Sequence, residues 1–342
     1  MAGTEGSPVV IVGAGVAGLS CARALAEGGR RALVLDRAHG VGGRCATRAL
    51  EGQPVDYGAV FLHGRDPAFL AALDAVPATR LDWPADVHGS GPPCQPEAFS
   101  PGEVRRAFAE GVNAFPRHLA EGLELRLQRK VVGLVPGDGT VALRLDDGSF
   151  LETEIAVLAL AAEQADELLA TVLPAPPAVA AARALLATAS SHCALALLAA
   201  YGPAAPRPPW HVSYPETSRI VQLVSHESSK RPGSPLLVLT YQAHPAWSRQ
   251  HLDDPDWPRH VLDEAARLLG PWAADPRTAH PHRWRWARTD LAAELARPLL
   301  LALPGGARLG VAGDRFAPGG GIEAAWRSGR ALAGRILAGE GA

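Results

Sequence analysis

Glycines at 13, 15 and 18, with an aspartate at 36, are the residues of this chain whose type and spacing most directly specify chemistry. They lie in PVVIVGAGVAGLSCARALAEGGRRALVLDR, residues 8–37: an apolar run ending at Val12, the three glycines, a segment of helical period and a second apolar run closing on Asp36. Gly13 permits a tight strand-to-helix turn, Gly15 leaves the backbone open to a pyrophosphate, and Gly18 lets the helix pack closely on its sheet. The helix N-terminus then turns free N–H groups and the positive end of its dipole towards the phosphates. A GxGxxG alone is a weak signal. Here it follows a strand, opens a helix and is answered by Asp36, 18 positions after the third glycine and placed for a ribose hydroxyl. A glycine-rich turn in an ordinary α/β unit does not need that acid.

Stacking and imidazole groups crowd the second half. Six of the eight tryptophans lie between 210 and 286 and eight of the twelve histidines between 192 and 282. Trp284 and Trp286 share one face of a strand at period two, with Trp210 and Tyr214 as neighbours in reach, so flat rings there could sandwich a flat substrate. For any single tryptophan, core packing is the plainer account. His192, His211, His226 and His244 read as surface or hydrogen-bonded strand histidines. His280 and His282 lack a third ligand, so no metal is expected. His63 stands beside a glycine-rich strand end, where it either faces a ligand or simply belongs to a loop. Cysteines 21, 45, 94 and 193 show no CxxC spacing and read as reduced thiols.

A formal charge of −2 gives no basic field for nucleic acid or acidic membrane. Lysine occurs only at 130 and 230, among 33 basic residues, so the arginine excess reads as compositional bias. MAGTEGS lacks the charged and apolar regions of a signal peptide, and no apolar run is long enough to span a bilayer, so a cytoplasmic protein is expected.

The elements that must position these groups follow from periodicity. Arg44 and Arg48 come just after the first βαβ unit, near its nucleotide end, and an arginine can neutralise a diphosphate bidentately. Residues 66–100 read as a helix and an irregular, proline-rich excursion. Residues 111–122 read as a helix, followed by strands near 123–135, 140–146 and 149–160. An alanine-rich stretch at 165–182, with PAPP, reads as a crossing between domains. Alternating segments from 184 to 247 form one antiparallel sheet, completed by a helix at 255–270 and the strand HRWRWAR, 282–288. Strand Arg308–Ala312 ends at Gly313-Asp314, glycines 319–321 open a loop, and Ile322–Leu337 is an amphipathic helix. The length suits about two domains.

The GxGGR motif ending at Gly42, Gly43 and Arg44, the DxGA of Asp56, Gly58 and Ala59, and the late Gly-Asp followed by a glycine-initiated helix together resemble the FAD-binding signature of the flavin amine oxidase and renalase class. Asp56-Tyr-Gly-Ala with HGRDPAF resembles renalases most. The resemblance covers nearly the whole chain and is tight at both ends. It implies an α/β fold: a Rossmann-type FAD domain with a doubly wound sheet, like that of p-hydroxybenzoate hydroxylase, and an α+β substrate domain. The FAD domain would take residues 1–75, 101–165 and 296–342. The substrate domain would take 166–295, with 76–100 an excursion towards it. It further implies FAD held by Gly13, Gly15, Gly18, Asp36, Arg37, Gly42, Gly43 and Arg44, with the backbone of Val131 or Val132 at the adenine. Gly313, Asp314, Gly321 and Ile322 would serve the ribityl chain and the pyrimidine edge.

Flavin performs hydride chemistry itself, so the protein need supply only position, electrostatics and a dry pocket. Trp284, Tyr214 and His63 are the candidates for the reaction site. The resemblance implies oxidation of 2- or 6-dihydro NAD(P)H isomers, a small-molecule substrate, with molecular oxygen as electron acceptor and peroxide formed. Two alternatives stand beside it: a flavin amine oxidase or specialised oxidase of a small amine or heterocycle, and a non-catalytic FAD-binding protein. Amine oxidases commonly place a lysine near the flavin. Lys130 in the small sheet and Lys230 in a KRPGSP loop are not expected to do so.

Overall fold

The computed structural model describes residues 7–188 and 190–340, which divide into two compact units. The reading of the N-terminal MAGTEGS lies, apart from Ser7, outside the described residues.

Unit 1 comprises residues 1–43, 116–190 and 289–342. Its main sheet has six strands in the order Leu299–Ala302, Arg308–Val311, Ile155–Leu158, Val9–Val12, Ala32–Leu35 and Glu124–Arg126. All neighbours are parallel except the first pair. Val9–Val12 and Ile155–Leu158 are buried along their whole length, as both-face coverage of a parallel sheet requires. The first helix, Val16–Glu27, and the closing helix, Gly321–Leu337, pack together on this sheet. Their crossing is close because Gly329 has no side chain: a Cβ there would lie 2.1 Å from the Ala17 carbonyl oxygen. The Ser20 hydroxyl, buried in the same contact, donates to the Trp326 carbonyl at 2.9 Å. A three-stranded antiparallel sheet, Val131–Pro136, Val141–Leu145 and Phe150–Thr153, completes the unit.

Three expectations change here. The strand expected near 123–135 is two, Glu124–Arg126 in the parallel sheet and Val131–Pro136 in the small one. The single strand expected at 149–160 is two, broken at Glu154: its first half ends the small sheet and its second half, Ile155–Leu158, enters the parallel sheet. The expected interdomain crossing at 165–182 is instead the helices Ala162–Leu169 and Pro177–Leu186. Their apolar faces, Ala165, Leu168, Leu169, Val179, Ala182 and Leu186, belong to the same core as the sheet.

Unit 2 comprises residues 44–115 and 191–288. Its sheet runs Thr278–Thr289, Ser191–Tyr201, Leu237–Ala243, Val221–His226, Val212–Ser213 and Val87–His88. The helix Trp257–Leu269 buries Trp257, Val261 and Ala265 in the core beneath this sheet. Two smaller sheets accompany it: the ribbon Thr47–Leu50/Gln53–Asp56, and Leu62–Gly64, Val104–Phe108 and Arg80–Leu81. The division therefore differs from the sequence expectation. Residues 44–75 and 101–115 fall with unit 2, and 166–190 and 289–295 with unit 1. The cause is packing: Leu50 and Val55 of the ribbon share a core with Leu198, Ala200 and Val238 of the large sheet.

Candidate active site

In unit 1 the phosphate-loop geometry is built from missing side chains. Gly13 has φ +112°, and a Cβ on it would meet the Ala159 carbonyl oxygen at 2.3 Å. A Cβ on Gly18 would meet the Gly13 carbonyl oxygen at 2.0 Å, which is why a glycine stands inside the helix despite its cost there. Around Gly15 the situation is opposite: a Cβ would meet nothing within 4 Å. Gly15 is the N-cap of the first helix, with no side-chain cap and no acidic residue in the first turn, so the helix end presents its N–H groups and dipole to open space.

The glycine loop closes over that turn. Gly42 N–H donates to the Ala14 carbonyl at 2.8 Å, Gly15 and Gly42 form an isolated parallel bridge, and Gly43 adopts φ +54° against Gly15. Asp36 accepts from the Ala14 N–H at 2.7 Å and from the Ala38 N–H at 2.8 Å. Its carboxylate thus holds the turn in shape and keeps lone pairs for a hydroxyl. Arg37 beside it is exposed.

A second helix end stands at the same edge of the sheet. Gly320 and Gly321 have φ +60° and +68°, and Gly320 caps the closing helix without a side-chain cap. Ile322 is half-buried in its first turn. Gly313 N–H donates to Ser328 Oγ at 3.1 Å, and the buried Asp314 accepts from the Thr289 N–H at 3.3 Å. Arg315 fixes this turn from inside, donating to the carbonyls of Ala293 and Leu186 and to the Thr188 hydroxyl. Val132 is the extra residue of a bulge between the paired Val131 and Gly133, so its backbone groups stand outside the ladder. Open helix ends, a cradle that any Cβ would fill and a bulged backbone fit a dinucleotide with two phosphates and an adenine.

In unit 2 the DxGA segment is a loop whose carbonyls are held one by one. Thr240 Oγ1 donates to Asp56 O at 3.0 Å, Trp284 Nε1 to Tyr57 O at 2.8 Å, Gln242 Nε2 to Gly58 O at 2.6 Å and Lys230 Nζ to Val60 O at 2.6 Å. Gly58 allows this closeness: a Cβ there would lie 2.1 Å from the Arg44 carbonyl oxygen and 3.2 Å from the Trp284 ring.

Asp56 is wholly buried, and so are Lys230 and Glu227. Lys230 Nζ lies 2.8 Å from Asp56 Oδ2 and 2.9 Å from Glu227 Oε1, and 4.3 Å from the centre of the Trp83 ring. Asp56 also accepts from the Val112 N–H and the Thr47 hydroxyl, and Glu227 from Ser225 Oγ and the Asp56 N–H. Desolvation pushes the Asp56 carboxyl up, opposed by the Lys230 charge. Lys230 is therefore not in an open loop, as its KRPGSP context suggests, but in the 3₁₀ turn Glu227–Lys230, with its protons committed to oxygen. Lys130 is exposed.

The other candidates separate into two clusters. Trp284 stacks on Tyr57 at 5.5 Å and meets His282 at 4.3 Å. Arg48, expected beside a diphosphate, makes a close side-chain contact with His280 of the same strand, because the Thr47–Leu50 ribbon belongs to unit 2. Tyr214 is buried and edge-on to Phe99, which is edge-on to Phe61. Burial and the nearby Cys94 push its phenol pKa upwards. Tyr214 and Trp284 do not meet: four strand spacings separate their strands in the sheet, roughly 19 Å. Trp210, also expected near Trp284, stacks instead on His88. His63, next to Phe61, is buried and pairs with Glu103, Nδ1 to Oε2 at 2.9 Å.

Sequence reasoning missed Glu103, Glu227, Arg315 and the burial of Lys230. The first three carry no local pattern. Lys230 stands in a Pro- and Gly-containing context that reads as an open loop. Among the described residues no cluster of metal-binding side chains occurs, all four cysteines are free, and no helix is long and apolar enough to cross a membrane.

The doubly wound sheet with two open helix ends at one edge defines a dinucleotide-binding α/β protein with a second, sheet-based unit. Residues 11–76 match the NAD(P)-binding Rossmann-like domain and residues 94–337 the flavin containing amine oxidoreductase family; the chain belongs to that family of flavin-dependent oxidoreductases. Its fold is similar to that of cyclohexylamine oxidase from Brevibacterium oxydans, with 17% identity, TM-score 0.74 and coverage of 97% of this chain and 99% of that one. Putrescine oxidase bound to putrescine gives 14% identity, TM-score 0.71 and coverage of 97% and 99%. A protein assigned as a protoporphyrinogen oxidase from Exiguobacterium gives 12% identity, TM-score 0.74 and coverage of 98% and 99%. At these identities the likeness is one of fold.

Proposed function

We propose that this protein is an FAD-dependent oxidase of a small amine, with oxygen as the electron acceptor. The observation that carries the reading is the pair of open, glycine-lined helix N-termini on the sheet of unit 1, in a chain whose family match to amine oxidoreductases runs through most of both units. FAD held there would supply the acceptor for a hydride from the carbon next to the amine nitrogen, with oxygen as the final acceptor of the electron pair. Gly13, Gly15, Gly18, Gly42 and Gly43 give the diphosphate access to backbone N–H groups, with Arg44 following the glycine loop. Asp36 and Arg37 serve the ribose, Val132 the adenine. Gly313, Asp314, Gly321 and Ile322 form the end that favours negative charge on the reduced ring. Trp284, held by Tyr57, and His63, held by Glu103, are the groups proposed to meet substrate. Tyr214, edge-on to Phe99 in the core, belongs to the Phe61–His63 side.

The test is anaerobic stopped-flow absorbance with cyclohexylamine, putrescine, the 2- and 6-dihydro isomers of NADH and NADPH, and ordinary 4-dihydro NADH. Bleaching of the flavin band at about 450 nm by the amines supports the proposal. Bleaching by the dihydro isomers alone replaces it with the narrower renalase-like activity. A flavin that no substrate reduces makes the protein a non-catalytic FAD binder.

A further inference from the structure

Thr278, His280, His282 and Trp284 alternate along one face of the edge strand Thr278–Thr289, and in the same order they meet Glu51, Arg48 and Tyr57. Thr278 donates its hydroxyl to Glu51, His280 contacts Arg48, and His282 and Trp284 both lie against the Tyr57 ring, at 4.8 and 5.5 Å. All of them belong to unit 2. Arg48, Tyr57, His280, His282 and Trp284 are half-buried, so each keeps part of its surface in solvent.

Arg48 differs from its half-buried neighbours. Arg105, Arg106 and Arg288 end on carbonyl or carboxylate oxygens. Among the described residues Arg48 makes no ion pair, and its one hydrogen bond runs from Nη1 to His280 Nε2. The two acids of the ribbon are turned elsewhere: Glu51 to Thr278, with Arg277 at 3.9 Å, and Asp56 to Lys230. Neither ring nitrogen of His282 has a hydrogen bond among the described residues. Burial, His280 and Arg48 lower the His282 pKa to about 4, and burial and Arg48 lower that of His280. At neutral pH both rings are therefore neutral, and the row carries the single charge of Arg48. One guanidinium fork matches one carboxylate, charge for charge and with two parallel hydrogen bonds, whereas a phosphate dianion would leave a charge over. The Tyr57 and Trp284 rings add apolar surface suited to a flat body on that carboxylate.

We propose that Arg48, together with His280 and His282, is a binding site in unit 2 for an aromatic carboxylate. The site needs no flavin, so it stands or falls separately from the oxidase reading.

The test is calorimetric titration of the whole protein at neutral pH with benzoate, with its neutral isostere benzamide and with phenyl phosphate. Benzoate should bind about tenfold or more tighter than benzamide, the worth of a charge-assisted hydrogen bond. A bound anion stabilises an imidazolium, so saturating benzoate should raise the His282 pKa above about 4. The ring-nitrogen resonances of ¹⁵N-histidine-labelled protein, assigned by their loss in His282→Gln, read this shift. Arg48→Gln should weaken benzoate binding about tenfold or more. Arg48→Lys keeps the charge without the fork and should fall between; it carries the comparison if Arg48→Gln does not fold. Equal binding of benzoate and benzamide overturns the proposal, and so does a His282 pKa that benzoate leaves unmoved or an affinity that neither Arg48 variant lowers. Phenyl phosphate binding tighter than benzoate overturns the choice of a carboxylate.

Discussion

At the scale of single residues, the glycines separate into those the fold needs and those a ligand needs. Gly15→Val adds a side chain where a Cβ meets nothing within 4 Å, so the protein should fold with the thermal stability of the flavin-free wild type and purify without flavin. The absorbance ratio of flavin to protein reads this directly; a yellow variant at normal stoichiometry would remove Gly15 from the diphosphate site. Gly13→Ala has the opposite profile. With φ +112° and a carbonyl oxygen 2.3 Å from the new Cβ, it should lose more than about 1 kcal/mol of stability in urea unfolding, whatever it does to flavin. The GxGxxG motif made both positions visible in the sequence, because each glycine marks a local backbone requirement. Glu103 was not visible, because its partner His63 is 40 positions away and only strand pairing brings them together.

At the scale of elements, the loop from Tyr57 to Val60 has two backbone bonds, to the Ala46 and Arg44 carbonyls, and its own carbonyls depend on side chains of unit 2. Lys230→Met removes the cation between two buried carboxylates and should cost about 3–5 kcal/mol, read as a lower urea midpoint. A variant as stable as wild type would mean that the carboxylates share a proton instead.

The edge strand Thr278–Thr289 offers a pH test. Burial, helped by His280 and Arg48, lowers the His282 pKa to about 4, against ~6.5 for an unfolded chain. As pH falls, the unfolded chain takes up this proton first, so stability present above ~6.5 drains away between there and about 4. His282→Gln should flatten the stability slope in that window, and an unaltered slope would assign the acid sensitivity to other groups. The sequence announced this strand through its Trp-x-Trp alternation. It did not announce the strand order, so Tyr214 and Trp284 were expected together: period two gives the face of a residue and says nothing of which strands intervene.

At the scale of the whole molecule, the proposed flavin site draws on both ends of unit 1. Removing FAD from the holoenzyme should lower the unfolding temperature, with the loss restored as FAD is titrated back, because a ligand that binds only the folded state stabilises it. Thermal unfolding monitored by tryptophan fluorescence at several FAD concentrations checks this; a midpoint independent of FAD would mean that the cradle is not the binding site. The βαβ unit and the glycine-initiated closing helix were legible 300 residues apart. The allocation of residues 44–75 to unit 2 was not, because it follows from a core shared by Leu50, Val55 and Leu198.

The strand order of the parallel sheet also sets a timetable. Ile155–Leu158 pairs on one side with Val9–Val12, made long before it, and on the other with Arg308–Val311, made about 150 residues later. At roughly 5–20 residues per second, a ribosome needs about 8–30 s to deliver that neighbour. The closing helix follows later still. A nascent chain therefore carries one unpaired apolar edge until Arg308–Val311 is made, and the glycine-initiated helix end comes after that strand. The proposed flavin site, which needs both helix ends, is therefore assembled only once the closing helix has been made, and cannot nucleate the sheet on which it stands.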